Sequence, residues 1–132
     1  MSASQQLYSN VAKGDPLHFW KGNALNFKEV TDFLDLDKES LSKMSGISKK
    51  TVRLDDRIPT DLKTHLEQVA NICSLVAEYF GGNPEKTSLW FKAPNPMLGT
   101  LTPRDMIRLG RYQKLMKFVL QARAENNGDK TD

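Results

Sequence analysis

Residues 90–111, WFKAPNPMLGTLTPRDMIRLGR from Trp90 to Arg111, are punctuated more densely than any other stretch of the chain. Trp90 falls at a helix end, where its indole is expected to plug the core while its N–H finds a carbonyl. Pro94, Asn95, Pro96 and Gly99 make a loop. The two prolines stiffen it, which lowers the entropy cost of presenting it to a partner, and Gly99 suits a backbone conformation closed to other residues. Thr102-Pro103 then reads as a helix start, an N-cap threonine followed by proline at the first helical position. Gly110 permits a chain turn or a close helix approach. With Trp90, Phe91, Met97, Leu98 and Leu101 read as buried, the stretch predicts helix, stiff loop, short helix and turn.

Working outward, the chain predicts helices on both sides. Phe27, Val30, Phe33 and Leu34 have the spacing of a short helix with one buried face. Asp37 can cap a second, with Leu41 and Met44 inward and Gly46 ending it. Ser48 is placed to cap a third, through about Leu54, with Val52 inward. Pro59 stops the pattern and Thr60 is read as the cap of the longest helix, about 61–80. Its stripe Leu62, Leu66, Val69, Cys73, Val76 and Phe80 is widened by Ile72, Leu75 and Tyr79, so this helix is expected at the centre, contacted from more than one side. Gly81-Gly82 end it and Asn83-Pro84 start the next, to about Phe91. A last helix over about 111–125 is expected to bury Leu115, Phe118, Val119 and Ala122. No segment alternates with the period of a strand. The expected fold is all-α, a small multi-helix protein divided into an N-terminal arm (1–26), a helix-turn-helix-like part (27–59), a central helix and C-terminal domain (60–125) and a flexible polar tail (126–132). Tyr8, Leu17, Phe19 and Trp20 are too apolar for a free arm and are expected to pack.

The chain has 132 residues, 39% apolar and 27% charged, as in ordinary globular proteins. No apolar run approaches the ~20 residues that span a bilayer, and a secretory start is not seen, so the expected location is cytoplasmic. A single cysteine, Cys73, cannot form an internal disulfide. The net charge of +3 is mild, but the basic residues cluster. Residues 43–53 hold Lys43, Lys49, Lys50 and Arg53 with no acid. Residues 104–123 hold Arg104, Arg108, Arg111, Lys114, Lys117 and Arg123 against Asp105 alone.

The first cluster fits a helix-turn-helix frame over 38–57. Ser42 is the small residue where helices cross, Gly46 makes the turn, and Ile47 and Val52 lock the second helix. The next locking position falls on Asp55, a departure from the pattern. Ser48, Lys49, Lys50, Thr51 and Arg53 are then the candidate DNA contacts, the hydroxyls for phosphates and the cations for guanine edges. A solvated helix surface is the plainer reading of the same residues, and Asp55-Asp56 would repel phosphate.

The run of Trp, Pro-Asn-Pro-x-Leu-Gly, Thr-Pro and a glycine-containing helix pair resembles the C-terminal toxin-binding domain of the Xre/MbcA/ParS antitoxin family. The resemblance covers about residues 28–123 and is strongest over 89–120. It implies the antitoxin of a type II toxin–antitoxin pair, which binds a RES-domain, NAD-consuming toxin and covers its active-site cleft. It also implies possible operator binding and a homodimer or larger complex with the toxin. The residues it singles out, as toxin contacts or as their platform, are Trp90, Asn95, Pro96, Leu98, Gly99, Thr102, Pro103, Arg104, Arg108, Gly110, Arg111 and Arg123. Most of these are expected to build the platform, with Arg104, Arg108, Arg111 and the following helix displayed on it. The basic helix and the segment from Arg123 to Asp132 are the expected obstructing elements. Where the family commonly has a Thr-Gly-Glu-Gly-like stretch, this chain has Leu109-Gly110-Arg111-Tyr112, more basic and poorer in glycine. The alternatives are a helix-turn-helix regulator without a toxin, and an adaptor that no longer binds DNA.

Catalysis finds no constellation. His18 and His65 are far apart and, with one cysteine, make no metal-ligand set. Glu85 and Phe80 stand where a phosphate-binding loop around Lys86-Thr87 would need glycines. Ser40-x-x-Lys43 lacks companion motifs. The chain is expected to be no enzyme and to need no cofactor or metal.

Overall fold

The computed structural model describes residues 12–131, with side chains through 125. Residues 1–11, with Tyr8, and Asp132 lie outside the described residues. Six α-helices carry the described part: α1 (Phe27–Leu34), α2 (Lys38–Ser45), α3 (Thr60–Tyr79), α4 (Pro84–Lys92), α5 (Pro103–Arg108) and α6 (Tyr112–Thr131). Among the described residues the fold is all-α but for one minimal hairpin, β1 (Trp20–Lys21) against antiparallel β2 (Ala24–Leu25). That pair was not anticipated, because two residues per strand leave no alternation to read. Its signal is the Gly22-Asn23 turn, with Gly22 at φ +61° as a two-residue hairpin requires.

The helix starts and stops follow side-chain chemistry. Asn26 and Asp37 accept the N–H groups of Glu29 and Ser40, capping α1 and α2, and Gly46 closes α2 at φ +75°. The cap expected at Thr60 is not made: Thr60 is the first helical residue, behind Pro59, and no side chain caps α3. At its other end the Gly82 N–H reaches the Ala77 carbonyl at 2.7 Å, the bond of a glycine-terminated helix.

α3 is the central helix. It packs on α1, α2, α4 and α6, which is why both stripes are apolar: Leu62, Leu66, Val69, Ile72, Cys73, Leu75 and Val76 are all buried. Tyr79, expected in the second stripe, is instead 70% exposed, its ring edge-on to Phe80 at 5.2 Å. One apolar core joins Phe19 of the arm, Val30, Leu34, Leu41 and Met44 of α1 and α2, the central helix, Phe91, Ile107 and Leu115. Phe19 docks edge-on to Phe33 at 5.7 Å between ring centres, with Asp15 accepting the N–H groups of Phe19 and Trp20 at 2.9 and 2.8 Å. α6 buries Tyr112, Leu115 and Val119, while Ala122 is exposed and Phe118 half-buried. It continues through 126–131, the residues read as a tail; Asn and Gly weaken a helix there by under about 1 kcal/mol each, and no proline breaks it.

Candidate functional site

α4 sets the geometry of the punctuated stretch. Asn83 accepts the Lys86 N–H at 2.9 Å and Pro84 occupies the first turn. Thr87 and Phe91, four residues apart, are fully buried and define the inner face. Leu89 lies two residues from each and so stands on the opposite face, 68% exposed. Phe91, not Trp90, plugs the core. Trp90 is half-buried, edge-on to Phe91 at 5.0 Å, and among the described residues no carbonyl accepts its indole N–H. Helical phase decides this, since only one of two successive residues can face α3.

The loop that follows closes on itself. Asn95 Oδ1 accepts the Met97 N–H at 3.0 Å, the Leu98 N–H reaches the Asn95 carbonyl at 2.9 Å, and the Asn95 N–H reaches the Leu101 carbonyl at 3.4 Å. Pro96–Leu98 form a single 3-10 turn ended by Gly99 at φ +76°, ψ −126°, a conformation reserved for glycine. Leu98 and Leu101 pack against the core. Met97, expected beside them, is 77% exposed, because the turn that seats Leu98 rotates its neighbour outward. Thr102 and Asp105 then form a reciprocal capping box at 3.0 and 3.2 Å, with Pro103 buried beneath it. Gly110, at φ +77°, faces the Met44 carbonyl across the end of α2. It serves as a turn; a Cβ there would meet the Met44 carbonyl only at ordinary contact distance, 3.7 Å.

The arginines expected on display are largely engaged by the fold. Arg104 donates through Nε to the Leu34 carbonyl and through a terminal nitrogen to the Asp35 carbonyl at 2.6 Å. It thereby satisfies the C-terminal end of α1, where Asp35 turns the chain at φ +52° and where positive charge is favourable. Lys92 pairs with the Asp35 carboxylate at 2.8 Å. That hydrogen bond and charge, with a smaller contribution from Arg104, hold the Asp35 carboxyl below its ordinary range. Arg108 donates to Ser40 Oγ at 3.2 Å and lies 3.5 Å from Asp105. Arg123 lies 3.5 Å from Glu78, whose other oxygen accepts the Lys13 N–H at 2.5 Å. Arg111, Lys114 and Lys117 remain exposed, without a side-chain partner among the described residues.

The helix-turn-helix frame is corrected. Gly46 makes the turn as expected, and the Ser42 hydroxyl donates across it to the Ile47 carbonyl at 2.5 Å. No second helix follows. Lys49–Thr51 form one 3-10 turn, Ser48 makes no side-chain cap, and Val52 leaves in extended conformation. The β-branched pair Thr51-Val52 disfavours helix. Asp55 pulls the chain the other way, pairing with Arg53 at 2.7 and 2.5 Å and accepting the Arg57 N–H at 3.0 Å. Arg53 in turn lowers the Asp55 carboxyl pKa. Ser48, Lys49, Lys50, Thr51 and Arg53 are all exposed, on a turn rather than a recognition helix.

Among the described residues no three His, Cys, Asp or Glu side chains are placed to hold a metal. His65 donates through Nδ1 to the Asp61 carbonyl at 2.6 Å and meets Tyr112 edge-on at 5.1 Å. Cys73 is buried in apolar surroundings that push its thiol pKa up. No described helix is long and apolar enough to cross a membrane.

Sequence reasoning missed the exposed apolar side chains Tyr79, Leu89, Met97 and Leu109. Only Leu89 had a usable signal, its phase two residues from Phe91.

Comparison with known proteins bears out the resemblance. Residues 75–114 match the family model of the antitoxin Xre/MbcA/ParS C-terminal toxin-binding domain. The mycobacterial cidal antitoxin MbcA of Mycobacterium bovis, and likewise that of Mycobacterium tuberculosis, is 24% identical over 95 residues, covering 72% of this chain and 76% of the relative. A chain in the crystal structure of the M. tuberculosis MbcT–MbcA toxin–antitoxin complex is 22% identical, with a TM-score of 0.49, covering 76% of this chain and 92% of that one.

Proposed function

We propose that this chain is the antitoxin of a type II toxin–antitoxin pair, binding and silencing a RES-type, NAD-consuming toxin by covering its active-site cleft. The observation that carries the reading is the match of residues 75–114 to a toxin-binding domain. Its geometry suits the role: a self-closed loop and capped short helices, seated on Phe91 and Ile107, present a stiff surface that a partner meets at small entropic cost. Arg111, just before α6, and Lys114 and Lys117 on it stand at intervals of three, all exposed. Cations so placed would pair with carboxylates that handle a substrate.

The test is co-expression with the toxin encoded by the neighbouring open reading frame. That toxin alone should arrest growth and deplete NAD, and this chain should restore both. Arrest and depletion that persist despite soluble antitoxin would overturn the reading.

A second reading makes the chain a DNA-binding regulator, acting alone or on its own operon. Exposed Lys49 and Lys50 favour it; the missing recognition helix and the Arg53–Asp55 pair weigh against it. A salt-dependent shift of the upstream promoter fragment would be its signature.

A further inference from the structure

Four of the five large apolar side chains exposed among the described residues, Tyr79, Leu89, Met97 and Leu109, fall within residues 75–114; only Trp20 falls outside. Scattered singly, such residues need no explanation. Four of them within a segment of 40 residues that matches a toxin-binding domain direct the search for a docking surface to that segment. We propose that Leu89 and Met97, on the outward face of α4 and on the loop that leaves it, are the apolar anchors with which this chain docks on its toxin. The inference rests on the antitoxin reading, and the occupant is a protein presenting an apolar pocket.

Neither residue serves the core. Leu89 points away from the face that Thr87 and Phe91 bury, and Met97 is turned outward by the 3-10 turn that seats Leu98. Their backbone is already fixed, by α4 in one case and by Pro96 and the Asn95 cap in the other, so an anchor there is ordered before binding. Methionine adds an adaptable, polarizable tip. The charged side chain between them, Lys92, is paired with Asp35. The rival contacts, Arg104, Arg108 and Arg123, would have to abandon carbonyl, hydroxyl or carboxylate partners to reach a toxin.

The experiment is calorimetric titration of the full chain with the purified toxin from the neighbouring open reading frame, alongside a sizing column. The Leu89→Asp/Met97→Asp variant should melt at the wild-type temperature and bind at least about 100-fold more weakly, as expected for two anchors. The gentler Leu89→Gln/Met97→Gln variant should bind about tenfold more weakly, and decides the matter should the aspartates prevent folding. Wild-type affinity in a folded variant overturns the inference while leaving the antitoxin reading intact. So does a variant that loses only self-association, since the face then serves a second copy. Absence of binding by the wild-type chain overturns the antitoxin reading itself, and this inference with it.

Discussion

A guanidinium that donates to two main-chain carbonyls at a helix end is occupied by the fold, and Arg104 is in that position. Its place in a basic run suggested display, because sequence gives charge but not the partner 70 residues away. Arg104→Ala should therefore act on stability first. Leaving the Leu34 and Asp35 carbonyls without their donor costs about 1–2 kcal/mol in urea unfolding, and lysine should recover only part, lacking the planar fork. Toxin affinity should fall no further than the unfolded fraction explains. Asp37 is a cap whose chemistry was legible directly, and it has a pH consequence. The Ser40 N–H lowers its carboxyl pKa in the folded state, so its contribution is whole above the unfolded value of about 3.9 and is lost as pH falls through the lower, folded one. Asp37→Asn, which still accepts the bond but does not titrate, should flatten the acid limb of a stability–pH curve. An unchanged limb would assign acid unfolding to other carboxylates.

At the scale of elements, boundaries set by local chemistry were readable and those set by competition were not. Gly46, Gly81-Gly82, Asn83-Pro84 and Thr102-Pro103 each act within five residues, and each stands where it was expected. The segment after Ser48 was misread because a cap residue and a basic face suggest helix, whereas two β-branched residues and the Asp55 turn end the 3-10 turn after Thr51. Met97 and Tyr79 were misread for a related reason: hydrophobicity predicts burial only where a neighbouring element arrives to cover the side chain. The turn carrying Lys49 and Lys50 lies outside the matched segment. Changing Lys49, Lys50 and Arg53 together to alanine should thus leave growth rescue by co-expression unaltered while abolishing any promoter shift that this turn produces. Loss of rescue in a folded variant would put the turn in the toxin interface.

At the scale of the molecule, the core runs across the division expected at residue 59. Val30, Leu34, Leu41 and Met44 pack in one apolar cluster with Leu66, Val69, Ile72, Phe91 and Ile107, and Arg104 and Lys92 fasten the end of α1 to the segment that matches the toxin-binding domain. Periodicity showed that α3 has too wide an apolar face for one neighbour, but it could not say which helices cover it, since contacts across dozens of residues leave no local trace. A fragment spanning residues 60–132 would uncover the side of α3 that α1 and α2 bury, and would leave Arg104 and Lys92 without their partners. Burial of a single such aliphatic side chain is worth about 1.5–3 kcal/mol, against a total stability of roughly 5–15 kcal/mol for a domain. Losing several at once exceeds that margin. The fragment should accordingly retain helical far-ultraviolet dichroism without a cooperative melt, and should bind dyes that report exposed apolar surface. A sharp, two-state melt of residues 60–132 would instead establish the toxin-binding part as an independent unit, with the N-terminal helices an addition to a core already complete.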